Sequence, residues 1–318
     1  MNKLICVVGP TASGKTEVAL ELSKLIPVEI ISCDSMQVYQ EMPILTQTPS
    51  KEVLKKVKTH LVSFVKPSQE YSAAKFRKEA GELLPKIIKK NKTPLLVGGT
   101  GLYLRALLDG LFEMPEGEAS RDEDFRKKLI LEQETHGGEY LHEQLAKIDP
   151  IAAKKIHAND VRRLVRALEV YHLSGRTISE QKPNRSGIRD DYQVRIFLLE
   201  RDRQELYARI NGRAQQMLDG GLLDEVKRLQ KVKMSQTAEM ALGFREMSAY
   251  FEGKTTLEEA LALLRINTRH YAKRQLSWFR HEKGVEAVAV ASGEKAAETA
   301  KKIIKLMSSP KSFIGDQP

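Results

Sequence analysis

Gly9-Pro10-Thr11-Ala12-Ser13-Gly14-Lys15-Thr16 decides the fold of this chain. The stretch fits G-x-x-x-x-G-K-[ST], a loop that cradles phosphates. Before it, Leu4-Ile5-Cys6-Val7-Val8 is a short apolar run of buried-strand type. After it, Thr16 to Leu25 spaces Val18, Leu20, Leu22 and Leu25 as a helix does. Gly9 and Gly14 let the backbone turn tightly and approach a ligand. Loop N–H groups and the helix N-terminus point at an anion. Lys15 adds a point charge for an outer phosphate, and the Thr16 hydroxyl suits Mg²⁺. A plain glycine-rich turn with an exposed lysine is the bland reading, and the complete motif in its strand–helix setting argues against it. The motif assigns a diphosphate to Gly9, Pro10, Thr11, Ala12, Ser13, Gly14, Lys15 and Thr16. It leaves open whether that diphosphate belongs to ATP, another nucleotide or another molecule.

Working outward, Val28 to Ser32 reads as a second strand, ending in Cys33-Asp34-Ser35-Met36-Gln37. Lys51 to Lys58 suggests a short helix and His60 to Val65 a strand. Ser72 to Lys90 has helical spacing, with Pro85 predicting a kink or break. Pro94 to Val97 is a buried strand that runs into Gly98-Gly99-Thr100-Gly101, and Leu102 to Leu108 is helical. This alternation predicts an α/β fold, P-loop NTPase-like, with a mainly parallel sheet flanked by helices. From residue 115 to 185 helical patterns follow one another without strands, which predicts an all-helical insertion domain. The core is then discontinuous, 1–114 and 186–307. Val194 to Leu199 rejoins the sheet, and helices follow over 206–229 (broken at Gly220-Gly221), 241–251 and 256–280. Val285 to Val290 suggests a last strand and Glu294 to Met307 a last helix, with a disordered tail over 308–318.

The chain has 318 residues, 41% apolar and 30% charged, as a soluble globular protein does. No apolar run spans a bilayer, so no membrane is expected. The first strand begins within a few residues of Met1, leaving no room for a signal peptide. Cys6 and Cys33 have no metal-ligand spacing and suit a reducing compartment. The cytoplasm is the expected location. A formal charge of +10 suits a polyanionic partner or simply a basic enzyme.

In a doubly wound sheet the carboxyl ends of the strands carry the site. Asp34 therefore falls near the phosphate loop, as metal ligand, general base or helix cap. Thr100 sits at a helix N-terminus behind two glycines. Arg162, Arg163 and Arg166 lie on an insertion helix, and Arg162 and Arg166 share a face. Arg265, Arg269, Lys273 and Arg280 fall within about 80° of one another on a late helix. Leu264, Tyr271 and Trp278 form a seam on another face. Arg209 and Arg213 suggest an anion clamp.

From Leu4 to about Arg280 the chain resembles the tRNA dimethylallyltransferase family. The resemblance rests on the phosphate loop, Ser32-Cys33-Asp34-Ser35, Tyr71-Ser72-Ala73-Ala74-Lys75-Phe76-Arg77 and Val97-Gly98-Gly99-Thr100-Gly101-Leu102-Tyr103. It continues through Asn159-Asp160, Arg163 to Val170, Gly243-Phe244-Arg245-Glu246 and Thr268 to Arg280. The phosphate loop alone is widely shared, but the ordered set is specific. The resemblance implies transfer of a dimethylallyl group from dimethylallyl diphosphate to N6 of the adenosine adjacent to the anticodon, with Mg²⁺ as cofactor held at Thr16. The loop then holds the donor's diphosphate rather than ATP, and the target base leaves its stack. Asp34 and Thr100 match the catalytic positions. Asp34, Ser35, Met36, Gln37, Thr100, Arg126, Arg162, Arg163, Leu164, Val165 and Arg166 match tRNA-binding positions, the insertion gripping the anticodon stem. Two segments depart from the family pattern. Leu45-Thr46-Gln47-Thr48 stands for Gly-Thr-Ala-Lys, and His60-Leu61-Val62-Ser63 for His-Leu-Ile-Asp. A monomer is expected. The alternatives are a P-loop kinase of a small metabolite, an RNA-binding ATPase, and prenyl transfer to a free adenine nucleotide.

Overall fold

Alternate residues of the central strands face opposite ways, and here both faces are apolar. Leu4, Cys6 and Val8 enter one hydrophobic cluster, while Ile5 and Val7 enter another. A strand that is apolar on both sides needs a helix layer on each. The computed structural model, which describes residues 1–111, 122–181 and 187–309, has that arrangement. Its six strands are β1 (Asn2–Val8), β2 (Val28–Ser32), β3 (Thr59–His60), β4 (Thr93–Gly98), β5 (Tyr192–Arg201) and β6 (Val285–Val290). All pair in parallel in the order β3-β2-β4-β1-β5-β6.

Helices α1 (Lys15–Leu25), α2 (Lys51–Lys56), α3 (Ala73–Ile88) and α4 (Gly101–Asp109) belong to the first half. Helices α5 (Glu123–His136), α6 (Tyr140–Ile148), α7 (Pro150–Ala153), α8 (Val161–Ser174) and α9 (Ile178–Gln181) follow. The last set is α10 (Arg203–Asp219), α11 (Leu222–Leu229), α12 (Phe244–Phe251), α13 (Leu257–Arg280) and α14 (Ala296–Ser308). The chain divides into two compact units, Met1–Leu108 with the residues from Ile188 on, and Asp109–Gly187. The second carries α5 to α9 around its own core, built on Leu129, Leu141, Leu145, Leu164 and Leu168.

Three expectations change. The strand expected over 60–65 shrinks to Thr59–His60 plus a single bridge, Tyr39 to Val65. Leu61 and Ser63 have φ of 59° and 49°, a left-handed backbone that ends a strand. Pro85 does not break its helix, since α3 runs through it. Its ring is exposed, on the solvent side. Ser308 belongs to α14 rather than to a tail, and residues 310–318 lie outside the described residues.

The loop after β1 and the turns after β2 and β4 stand at one edge of the sheet. The connection from β1 leads to one side and the return at β5 to the other, which makes β1 the switch point where a ligand is expected. Gly98 lets β4 and β2 close together there. A Cβ on Gly98 would lie 2.0 Å from the Cys33 carbonyl oxygen. Gly98→Ala should therefore destabilise the core by about 1–3 kcal/mol, as overpacking does. Its chemical-denaturation midpoint, compared with wild type, checks this.

Candidate active site

The phosphate loop is strained into place. Ala12 has φ of 63° and Gly14 of 96°. Holding a non-glycine residue there costs about 1–3 kcal/mol, which the surroundings must offset. They do so by covering the loop's carbonyl oxygens with cations. Lys15 Nζ donates to Gly9 O at 3.0 Å and Pro10 O at 2.7 Å. Arg209 Nε donates to Ala12 O at 2.8 Å and Arg201 Nε to Ser13 O at 2.9 Å. Arg213 Nη1 reaches Thr11 Oγ1 at 3.4 Å, and its Nε donates to Gln47 Oε1. Three of these cations come from the end of β5 and from α10, beyond the second unit in sequence. Arg209 and Arg213, expected as an anion clamp, bond the loop's own atoms and Gln47. Arg201 carried no signal of its own.

This crowding of cations has a cost. Burial drives the Lys15 ammonium down from 10.5 to about 8; Asp34 opposes the shift and Arg213 adds to it. Burial likewise lowers the Arg213 guanidinium. Such a loop gains most when an anion arrives.

Asp34 lies directly after β2. Its Oδ1 accepts from Met36 N at 2.9 Å and Gln37 N at 3.3 Å, so the side chain folds its own turn. Oδ2 has no hydrogen-bond partner among the described residues. Thr100 begins the helix after β4. Its N–H donates to Cys33 O at 3.1 Å, and its Oγ1 accepts from Ser35 N at 2.9 Å and donates to Ser35 Oγ at 3.3 Å. Asp34, Ser35, Met36, Gln37 and Thr100 are all half-buried. The structure therefore joins the two predicted catalytic residues through Ser35.

α13 supplies residues that sequence reasoning missed. Tyr271 lies beside Thr100, and its phenol is pushed up by burial and by the Asp34 charge. Gln275 Oε1 accepts from Thr11 N at 2.8 Å, and its Nε2 donates to Gly99 O at 2.9 Å. Trp278 packs on the turn, where a Cβ on Gly101 would lie 2.1 Å from its ring. The available signal was the seven-residue repeat Leu264–Tyr271–Trp278, with Gln275 four after Tyr271 on the same face. The expected basic stripe on this helix is mostly engaged. Arg265 reaches Gln215, Arg269 reaches Asn211 and lies over Tyr207, and Arg280 pairs with Glu200. Lys273 is exposed.

The two departures have local accounts. Gln47, in place of the family's alanine, accepts from Arg213 and donates to Ile44 O. Ser63, in place of the family's aspartate, donates its N–H to Gln37 O at 2.8 Å and supports the Asp34 turn.

In the second unit, Glu169 is fully buried. Arg126 grips it with two bonds of 2.6 and 2.7 Å, Arg166 adds one at 2.6 Å, and Asp122 N donates at 2.9 Å. Burial pushes the Glu169 carboxyl up, but the Arg126 and Arg166 bonds outweigh it and hold it below its ordinary value. Arg126 thus braces α5 against α8, while Arg166 holds the same carboxylate from within α8. Leu164 and Val165 are buried in that unit's core, so their side chains do not form a surface. Arg162 and Arg163 are exposed, and Arg163 pairs with Asp160 at 3.3 Å.

The donor set suits a metal held mainly by its ligand. The Thr16 hydroxyl has no hydrogen-bond partner among the described residues, and no group of three His, Cys, Asp or Glu gathers among them. Mg²⁺ is commonly bound this way, through one or two protein oxygens, substrate phosphates and water.

The IPP transferase family model matches residues 37–282, and an isopentenyl transferase model matches 2–64. The tRNA dimethylallyltransferase of Halothermothrix orenii is 42% identical over 92% of this chain and 89% of its own. That of Carboxydothermus hydrogenoformans is 45% identical over 88% and 90%. The crystal structure of the full-length tRNA isopentenylpyrophosphate transferase of Bacillus halodurans is 38% identical, covers 96% of each chain and has a TM-score of 0.68. A eukaryotic dimethylallyltransferase acting on tRNA is 25% identical, covers 99% of this chain and 82% of its own, and has a TM-score of 0.81.

The lowered Lys15 pKa has a measurable consequence. Unfolded, the amine keeps its proton up to about 10.5, whereas the folded loop releases it near 8. The unfolded chain therefore binds more protons between those values, and stability from this group rises with pH across that window. A diphosphate held at this loop would restore the proton. Binding of inorganic diphosphate above pH 8 should take up close to one proton. Titration calorimetry in buffers of differing ionisation enthalpy reads it, and the uptake should vanish in Lys15→Met.

Proposed function

This chain belongs to the IPP transferase family and transfers a dimethylallyl group to tRNA, and on that premise we propose how its residues carry the transfer. The core is P-loop NTPase-like in this reading, but its loop holds the diphosphate of dimethylallyl diphosphate. The acceptor is N6 of the adenosine adjacent to the anticodon. One observation carries the reading: Asp34 keeps one carboxylate oxygen free beside the phosphate loop, in electrostatic reach of Lys15, and is tied to Thr100 through Ser35. The family sets aside the kinase and ATPase readings. The second unit, taken as the insertion over about 115–185, grips the anticodon stem.

The chemistry is a displacement. The amine nitrogen attacks C1 of the donor, the bond from C1 to the diphosphate oxygen breaks, and the diphosphate leaves. The Asp34 carboxylate accepts the proton released from N6 as the new bond forms. Thr100, through its hydroxyl, orients the amine. Lys15 and the loop N–H groups neutralise the leaving group, and Arg209 and Arg213 hold the loop in the shape that does so. A Mg²⁺ ion held by the Thr16 hydroxyl and the diphosphate would supply further charge neutralisation. Holding both substrates in one geometry removes much of the entropic barrier. Free thiols at Cys6 and Cys33 accord with a cytoplasmic location, and we take the chain to act as a monomer. Among the described residues no helix is long and apolar enough to cross a membrane.

On the RNA side, the exposed Arg162 and Arg163 contact the phosphate backbone directly. Arg126 and Arg166 act by fixing the surface that presents them, and Leu164 and Val165 by fixing the helix.

Asp34→Asn keeps the acceptor for the Met36 and Gln37 N–H groups but removes the base. Single-turnover transfer of labelled dimethylallyl diphosphate to unmodified tRNA should fall about 10²–10⁴-fold. tRNA affinity by filter binding should stay within about 3-fold; a loss confined to affinity would refute the base assignment. Arg162→Ala should weaken tRNA binding and reduce the salt slope by about one. Arg126→Ala should instead destabilise the protein by on the order of 3 kcal/mol, as loss of one partner of a buried carboxylate does. Thermal unfolding without RNA separates these two effects.

A further inference from the structure

One face of α13 touches both halves of the site. Ala272 packs with Ala12 of the phosphate loop, in a small cluster with Leu206 and Ile210. Tyr271 meets Thr100. One turn further along α13 stands Gln275, only 6% exposed. Its carbonyl oxygen takes the N–H of Thr11, and its amide nitrogen serves the carbonyl of Gly99. A Cβ on Gly99 would lie 2.2 Å from that nitrogen, so the amide is packed tightly into the turn. Thr11 lies in the half that holds the donor's diphosphate. Gly99 immediately precedes Thr100, in the half that receives the acceptor amine.

We propose that Gln275 is a positioning residue that sets the separation between donor and acceptor by tying the phosphate loop to the Gly99–Thr100 turn. The inference rests on the assignment of the loop to the donor and of Asp34 and Thr100 to the acceptor. Its chemistry is specific. The strut must accept from one backbone N–H and donate to one backbone C=O at the same time. A carboxamide does both. An ionised carboxylate of the same length keeps the Thr11 bond but sets an oxygen against the Gly99 carbonyl. A protonated carboxyl regains the donor. A leucine does neither. In-line transfer tolerates little error, since about 1 Å of misplacement costs on the order of 100-fold in rate.

The titratable and charged groups on the elements that meet here are Lys15, Arg209 and Arg213 on the phosphate loop's atoms, Asp34 in the turn after β2, Arg105 over Trp278 with its partner Glu282, and Tyr271 with Arg274 over its ring. All of them are present in wild type and variant alike. The ratio of variant to wild-type rate at each pH therefore isolates the substituted side chain.

The test measures single-turnover transfer of labelled dimethylallyl diphosphate to unmodified tRNA by wild type, Gln275→Glu and Gln275→Leu, across pH. Dissociation constants for inorganic diphosphate and for tRNA are measured alongside. At about pH 8, Gln275→Glu should be slower than wild type by about 30-fold or more, with both dissociation constants within about 3-fold. Towards about pH 5.5, where a buried carboxyl takes its proton, the deficit should shrink to about 5-fold or less. Gln275→Leu should stay impaired at every pH. If Gln275→Glu tracks wild type at all pH values, if its deficit does not move with pH, or if the loss lies only in diphosphate affinity, the strut is refuted. If Gln275→Leu fails to fold, Gln275→Glu still decides. If wild type itself transfers no label, the underlying assignment fails, whatever the strut does.

Discussion

A backbone loop that turns its N–H groups inward upon an anion must turn carbonyl groups elsewhere, and those too need partners. This constraint organises the catalytic unit. Gly9 and Pro10 present their oxygens to Lys15, Ala12 to Arg209 and Ser13 to Arg201. The two guanidiniums can reach the loop only because β5 returns beside β1 and delivers the start of α10 to the same edge. The sheet order is in that sense a requirement of the loop. A long excursion between β4 and β5 is tolerable provided that the chain comes back to this neighbour.

The same logic explains the glycines of the second turn. Gly98 passes the Cys33 carbonyl, Gly99 the Gln275 amide and Gly101 the Trp278 ring, each at a distance a methyl group would forbid. The turn after β2 and helix α13 thus converge on four residues. Thr100, the one residue there with a side chain, is held through backbone and hydroxyl to the turn that carries Asp34. The phosphate loop and this turn are joined through the Gln275 side chain, which bonds the Thr11 N–H and the Gly99 carbonyl.

The parts legible in the sequence were those with short-range signatures. The loop, five of the six strands and the break at Gly220-Gly221 follow from local spacing, and Asp34 from its place at a strand end. What escaped depends on long-range packing. Gln275 looks like any polar helix residue until its partners at Thr11 and Gly99 are known. Arg126 and Arg166 match the family's RNA-contacting positions, but their bonds to Glu169 cannot be read from the sequence, since nothing near Glu169 announces its burial. Arg265, Arg269 and Arg280 likewise look like a free stripe until their neighbours are placed. The left-handed residues Leu61 and Ser63 cut short a strand that propensity alone would extend.

The central position of β1 also bears on how the protein is made. Its two neighbours are β4 and β5, and Asn2 pairs with Tyr192. During synthesis the first strand therefore waits for a partner translated roughly 10 to 40 seconds later at ordinary elongation rates. Until then one edge of β1 is unpaired and the carbonyls of Ala12 and Ser13 lack their arginines. The phosphate loop, first in sequence, is among the last parts to take its final form, and a nascent chain stalled before Arg213 would carry the motif without the site.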